Sequence, residues 1–250
     1  MTNHVFTDID RHVARITFSH PPVNALPSDV LEALEIHINR ASETEGIKLI
    51  ILQSEGKTFC AGASFDELLA LDNFDDAKVF FMGFGKVINA MRKAKVPVVA
   101  RVQGKAVGGG VGIIAASDLS VAVEGASVKL SELSISIGPY VIAPAIIRKT
   151  RRAFFQEMSL QPYKWFDAFT AQKHGLFSHV TESRGRMEEI LENIISAYEK
   201  YDLTAITTLK KEIWSDARHW DELLERQAEK SAGLLLREPV KELLYKLKNK

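Results

Sequence analysis

Apolar and polar residues alternate along this chain with two periods. In HVARITF (residues 12–18), Ala14, Ile16 and Phe18 recur at a spacing of two, which predicts a strand. KLIILQS (48–54) is a short apolar run with few polar breaks, the pattern of a buried strand. VPVVARV (96–102), DLSVAVE (118–124) and SVKLSE (127–132) predict three more strands. Between these runs the period lengthens. After the proline-rich loop HPPVNALPSD, Val30, Leu31, Leu34, Ile38 and Ala41 make one helical stripe, with Ser28 placed to cap it. A long helix is expected from about Ala70 to Lys95, and a short one opens at the glycines of GKAVGGGVGII (104–114). Beyond about Pro144 the pattern turns helical, as in RMEEILENIISAYEK and DELLERQAEKSAGLLL. Strands alternating with helices argue an α/β fold, divided here into a core over 1–190 and a helical region over 191–250.

Composition narrows the functional classes. The chain has 250 residues, 46% of them hydrophobic, enough for one sizeable core. Its 32 basic and 32 acidic residues cancel, so no global field gathers nucleic acid or an anionic membrane. A single cysteine, Cys60, permits no intrachain disulfide and points to a reducing compartment. The N-terminal residues lack the basic start and apolar core of a signal peptide, and no apolar run approaches the ~20 residues of a membrane helix. A cytoplasmic globular protein is the expectation. The C-terminal REPVKELLYKLKNK reads as a surface helix or a docking arm, its lysines solvated.

Gly108, Gly109, Gly110 and Gly112 stand where a helix begins, although glycine in a helix interior costs about 1 kcal/mol relative to alanine. Two explanations are open. The glycines let a helix pack closely against a strand, or they expose backbone N–H groups at a helix start, where an anion is favoured. Known dinucleotide patterns do not fit. Gly104-Lys105-Ala106 fails the P-loop, and Ile113 stands where the third Rossmann glycine would be. A second stretch, EGKTFCAGASFDEL (55–68), repeats the arrangement of strand end, small-residue turn (Ala61, Gly62, Ala63) and helix start. Two such turns could aim one N–H each at a single oxygen, forming an oxyanion hole.

FCAGAS and VQGKAVGGGVGIIAASD, about fifty residues apart and followed by VKLSELSISIGP, resemble the crotonase (enoyl-CoA hydratase/isomerase) superfamily. Asn24-Ala25-Leu26 and the stretch from Phe166 to Leu176 extend the likeness. The resemblance implies a spiral of ββα units and a C-terminal helical region that mediates trimer formation, giving a homotrimer or a hexamer. It implies an acyl-CoA thioester as substrate, with no cofactor beyond the coenzyme A that the substrate carries. The matching positions make the Ala63 and Gly109 N–H groups the oxyanion donors, with Ala61, Gly62, Gly108, Gly110, Gly112 and Tyr140 around the substrate.

Enolate chemistry also needs an acid/base group. Relatives that hydrate carry two glutamates, one two positions past the triple glycine and one about twenty residues on. Here the second is Glu132, set among Val128, Leu130, Leu133 and Ile135, and the first is Gly112. Burial would raise Glu132 toward a useful base. One carboxylate suffices to move a proton between two carbons, whereas hydration must also hold a water. The missing glutamate therefore favours double-bond isomerisation. Hydration is the alternative, with Tyr140, Ser131 or Asp66 as stand-ins for the lost carboxylate. The SIGPYVIAP segment bears a loose likeness to methylglutaconyl-CoA hydratases. A protein that binds acyl-CoA without turning it over is the alternative of another class. Ser64 reads as a helix cap, Lys57 as solvated or near a CoA phosphate, Cys60 as a core residue and Asp118 as a helix or turn closure. The seven histidines lack metal-ligand spacing, and no metal site is expected.

Overall fold

A computed structural model describes residues 4–248, so Asn249 and Lys250 of the C-terminal stretch lie outside it, as do the first three residues. The strands are β1 (Val5–Asp10), β2 (Val13–Phe18), β3 (Ala25–Leu26), β4 (Leu49–Ser54), β5 (Gly62–Ala63), β6 (Val98–Val102), β7 (Ala106–Val107), β8 (Leu119–Val123), β9 (Ser127–Lys129), β10 (Phe166–Asp167) and β11 (His179–Thr181). The helices are α1 (Ser28–Glu43), α2 (Phe65–Ala70), α3 (Phe74–Lys93), α4 (Gly109–Ala116), α5 (Ala143–Thr150), α6 (Arg152–Leu160), α7 (Ala168–Lys173), α8 (Arg184–Glu199), α9 (Leu203–Ile213), α10 (Trp220–Leu235) and α11 (Glu238–Lys248).

Six strands form the main sheet in the order β1-β2-β4-β6-β8-β11. β1 pairs antiparallel with β2, and each later neighbour pairs in parallel. Parallel strands need cover on both faces, and Leu49, Ile50, Ile51 and Leu52 of β4 are all fully buried. The stripe expected on α1 is buried at each of its five positions. Two small sheets stand beside the main one, β3-β5 and β10-β9-β7, and Gly62 and Ala63 of the candidate site lie on the first of them.

Several elements differ from the sequence expectation. Pro27, not Ser28, is the N-cap of α1, and the Ser28 hydroxyl instead donates to Glu67. The helix expected over 70–95 is α3, which starts at Phe74 because Asn73 caps it by accepting the Asp76 N–H at 2.9 Å, while Ala70 is the last residue of α2. The strand expected over 127–132 ends at Lys129, and Glu132 opens a one-turn 3-10 helix, Glu132–Ile135. β1 and β11 were not expected. β11 is a three-residue strand inside a helical stretch, paired through His179, Val180 and Thr181 to Val121, Ala122 and Val123.

The C-terminal helices pack onto this core. Met187, Leu191 and Ile195 of α8 join the main hydrophobic cluster, and residue 190 lies within that helix. α10 runs along α3, and Val240 and Leu244 of α11 are buried against Leu68, Leu69 and Leu235 in a smaller cluster. Among the described residues no helix is long and apolar enough to cross a membrane.

Candidate active site

Backbone hydrogen bonds hold the two small-residue turns together. Cys60 and Ala106 form a parallel bridge, the Val107 N–H donates to the Cys60 carbonyl at 2.8 Å, and the Phe59 N–H donates to the Lys105 carbonyl at 2.9 Å. Asn24 pins the first turn from below. Its carbonyl accepts the Ala61 N–H at 3.0 Å, and its side-chain amide donates to the carbonyls of Glu55 and Thr58, each at 2.8 Å. These bonds seat Gly62 against the start of α4: a Cβ on Gly62 would lie 3.9 Å from the Gly109 nitrogen. Among the described residues, the Gly109 and Gly110 N–H groups have no hydrogen-bond acceptor, as befits the first turn of a helix.

Each glycine of the triplet has a separate physical reason. Gly108 has φ +50°, and a Cβ there would meet Glu132 Oε1 at 2.7 Å. Gly109 and Gly110 face close neighbours, with a Cβ falling 2.1 Å from the Phe84 ring and 2.7 Å from Cys60 Cβ respectively. Close packing and an open N–H thus coexist at Gly109. Gly112 faces Ile142, whose Cγ2 would stand 2.4 Å from an added Cβ. Ile142, the residue before α5, fills the space that a side chain at 112 would use. Gly112→Ala is expected to cost about 1–3 kcal/mol through overpacking, read as a lowered urea midpoint, with Ile142→Ala, which removes the clashing Cγ2, in the same chain recovering part of the loss.

A cavity of about 510 Å³ opens beside these turns. Ala61, Gly62, Ala63, Gly108, Gly109, Glu132 and Tyr140 line it together. Gly110 and Gly112, expected at the substrate, do not line it, because they face inward onto Cys60 and Ile142. Of the suggested stand-ins for a second carboxylate, Ser131 and Tyr140 reach the cavity. Asp66 is exposed and ion-paired with Lys248 at 3.0 Å, so it does not. The remaining wall is largely apolar, with Phe65, Leu68, Phe81, Phe84, Ile137 and Ile142, and Ser231 from α10.

Glu132 is the carboxylate in the lining of this cavity. Its Oε2 is buried and has no hydrogen-bond partner. Burial pushes its carboxyl up to about 7, only slightly offset by its own backbone N–H. Such a group exchanges a proton readily near neutral pH. Because the folded state favours the neutral acid, Glu132 binds more protons folded than unfolded between pH 4.5 and about 7. Its contribution to stability is therefore full below pH 4.5 and is lost as pH rises through about 7.

Other marked residues lie apart from this chemistry. Ser64 caps α2, accepting the Glu67 N–H at 3.4 Å. Cys60 is buried, and burial pushes its thiol up to about 12, so it is not a ready nucleophile. Lys57 is exposed and does not line the cavity. Asp118 does more than close a turn: it accepts the Val98 N–H, the Trp214 indole N–H and the Lys210 ammonium at 2.7, 2.8 and 2.6 Å. Sequence reading missed Phe84, Ile142 and Ser231 at the cavity. Nothing local distinguishes them from other apolar or small residues; only packing against the glycine turns, or across to α10, brings them there.

Residues 8–237 match the family model described as enoyl-CoA hydratase/isomerase, and the chain belongs to that family. A "Probable enoyl-CoA hydratase" of Bacillus subtilis is 31% identical over 137 residues, 55% of this chain and 53% of that protein. The alignment thus spans about half the length of that relative. A "(7aS)-7a-methyl-1,5-dioxo-2,3,5,6,7,7a-hexahydro-1H-indene-carboxyl-CoA hydrolase" of Mycobacterium tuberculosis is 30% identical over 180 residues, 71% of this chain and 70% of that one. The fold is the crotonase fold: a crystal structure of an enoyl-CoA hydratase from Bacillus halodurans superposes with a TM-score of 0.92 at 22% identity, covering 98% of this chain and 100% of that one.

Proposed function

We propose that this protein acts on an acyl-CoA thioester of the enoyl type, through an enolate held by the Ala63 and Gly109 N–H groups, with Glu132 as its acid/base. One observation carries the reading: an unpartnered buried carboxylate oxygen in a cavity that also contains both small-residue turns. The thioester oxygen would sit between the two amides, where developing negative charge is stabilised at an expected cost of about 3 kcal/mol per donor removed. Glu132 would take or return a proton at the adjacent carbons. The names of the relatives favour addition of water across an α,β double bond, with Ser131 and Tyr140 as the polar groups able to hold that water beside Glu132. A specific observation favours a second reading, migration of the double bond. The place of a second carboxylate is Gly112, and Ile142 fills the space above it. One base is enough to carry a proton between two carbons. A trimeric assembly, with helices after 190 at its contacts, belongs to the same proposal.

Two substrates separate these readings. Hydration consumes the conjugated absorbance of crotonyl-CoA, whereas isomerisation of 3-hexenoyl-CoA creates it. Turnover of neither, with tight binding of acetoacetyl-CoA, would indicate a binding protein and overturn both. kcat/KM for the substrate that reacts is expected to rise with pH through about 7, because Glu132 must be ionised in the free enzyme to accept a proton. A profile flat from pH 5 to 9 would remove Glu132 from the base role.

A further inference from the structure

A second cavity, of about 460 Å³, lies at the ends of α3 and α9, away from the glycine turns. Ten residues line it, of which six are cationic (Arg92, Lys93, Lys95, Lys210, Lys211 and Arg218) and none is acidic. Three carboxylates reach these cations: Asp221 pairs with Arg92 and Lys93, Glu43 with Lys95, and Asp118 with Lys210. Lys211 and Arg218 have no ion-pair partner among the described residues. Three positive charges are thus unmatched around one cavity, in a chain whose formal charge is zero. Basic residues at helix C-termini ordinarily answer the helix dipole, and two helices end here. Their ends supply roughly −0.5 charge each. That leaves an excess of roughly two positive charges. Lys95 and Arg218, moreover, lie beyond both helices.

We propose that this cavity binds a dianionic phosphate group. The Arg92 side chain, 6% exposed, is fixed by Asn89 at 3.0 Å and Asp221 at 3.1 Å, so it presents a preorganised guanidinium at the wall. Lys211, Arg218 and Thr208 line the cavity from its exposed side, where two cations and a hydroxyl donor would meet the anion. The volume exceeds what orthophosphate needs and suits a small phosphomonoester. This site stands independently of the acyl-CoA reading, since no residue of the glycine-turn cavity lines it, and it requires this face of α9 to stand clear of the subunit contacts.

The test is calorimetric titration of the full-length protein, without coenzyme A, using orthophosphate and AMP separately. Saturable binding of at least one is expected, tightening as pH rises through about 6 where the phosphate group gains its second charge. The double variant Lys211→Gln/Arg218→Gln is expected to bind about tenfold or more weakly, with its melting temperature and its enoyl-CoA turnover unchanged. Equal binding of both ligands identifies the phosphate group alone as the determinant; binding of AMP alone identifies a phosphomonoester. No saturation by either ligand up to about 10 mM, or equal affinity in the double variant, would overturn the assignment.

Discussion

Glu132→Gln is expected to lower kcat by about 10²–10⁴ while leaving the affinity for a non-reacting acyl-CoA nearly unchanged. The amide keeps the shape of the carboxyl but can neither accept nor return the proton. Binding should survive because the cavity wall is largely apolar, and the two proposed oxyanion donors are main-chain groups that the substitution does not touch. Two further readouts separate a chemical role from a structural one. The rise of activity through pH 7 should vanish in the variant. Its stability relative to the parent should also increase between pH 4.5 and about 7, since the parent alone develops a buried charge there. Turnover within a factor of two of the parent would remove Glu132 from the mechanism, whatever the binding data say.

Asp118→Ala is expected to cost about 3–5 kcal/mol of stability, the range for leaving one buried charge without its partner. The Asp118 and Lys210 side chains are 8% and 2% exposed and meet at 2.6 Å. Removing the carboxylate strands the Lys210 ammonium with only the Met91 carbonyl, at 3.0 Å, and leaves the Val98 N–H and the Trp214 indole N–H without their acceptor. Burial already draws Lys210 below the usual lysine range, with Asp118 pulling the other way. For a chain of this size the melting temperature should fall by roughly 6–20 °C. The companion variant Asp118→Leu/Lys210→Met, which removes both charges, should recover the part of the loss due to the stranded ammonium but not the part due to the unpaired Val98 and Trp214 N–H groups. A single variant melting within 1 °C of the parent, measured as a roughly flat difference across pH 6–8, would show that the pair is not what joins α9 to β6 and α4.

Local sequence made much of this legible. The period-two run ending in Phe18, the apolar run of β4 and the stripe of α1 all declared themselves, because solvent partitioning acts on each segment separately. β11 did not, because three residues pairing with β8 across some sixty positions leave no periodicity to read. The start of α3 is set by the Asn73 cap, four residues after the expected start at Ala70. At the candidate site, Glu132 stood out only through the family resemblance, whereas the small-residue turns were visible as motifs. The roles of Gly110 and Gly112 were not, since a glycine states only that something stands close and never says what.

The sequence by itself determined the α/β class and the two small-residue turns. These are local properties, carried by residue type and spacing. Tertiary structure alone decided that Cys60 and Val107 lock the turns together, that Ile142 fills the space over Gly112 and that Glu132 keeps a buried, unpartnered oxygen beside Gly108. It also decided that Asp118 and Lys210, ninety-two positions apart, neutralise one another inside the core. The physical reason is the same throughout. Hydrophobicity and backbone preference act through near neighbours, whereas steric exclusion, desolvation and charge pairing depend on which distant residues the fold brings within a few ångströms.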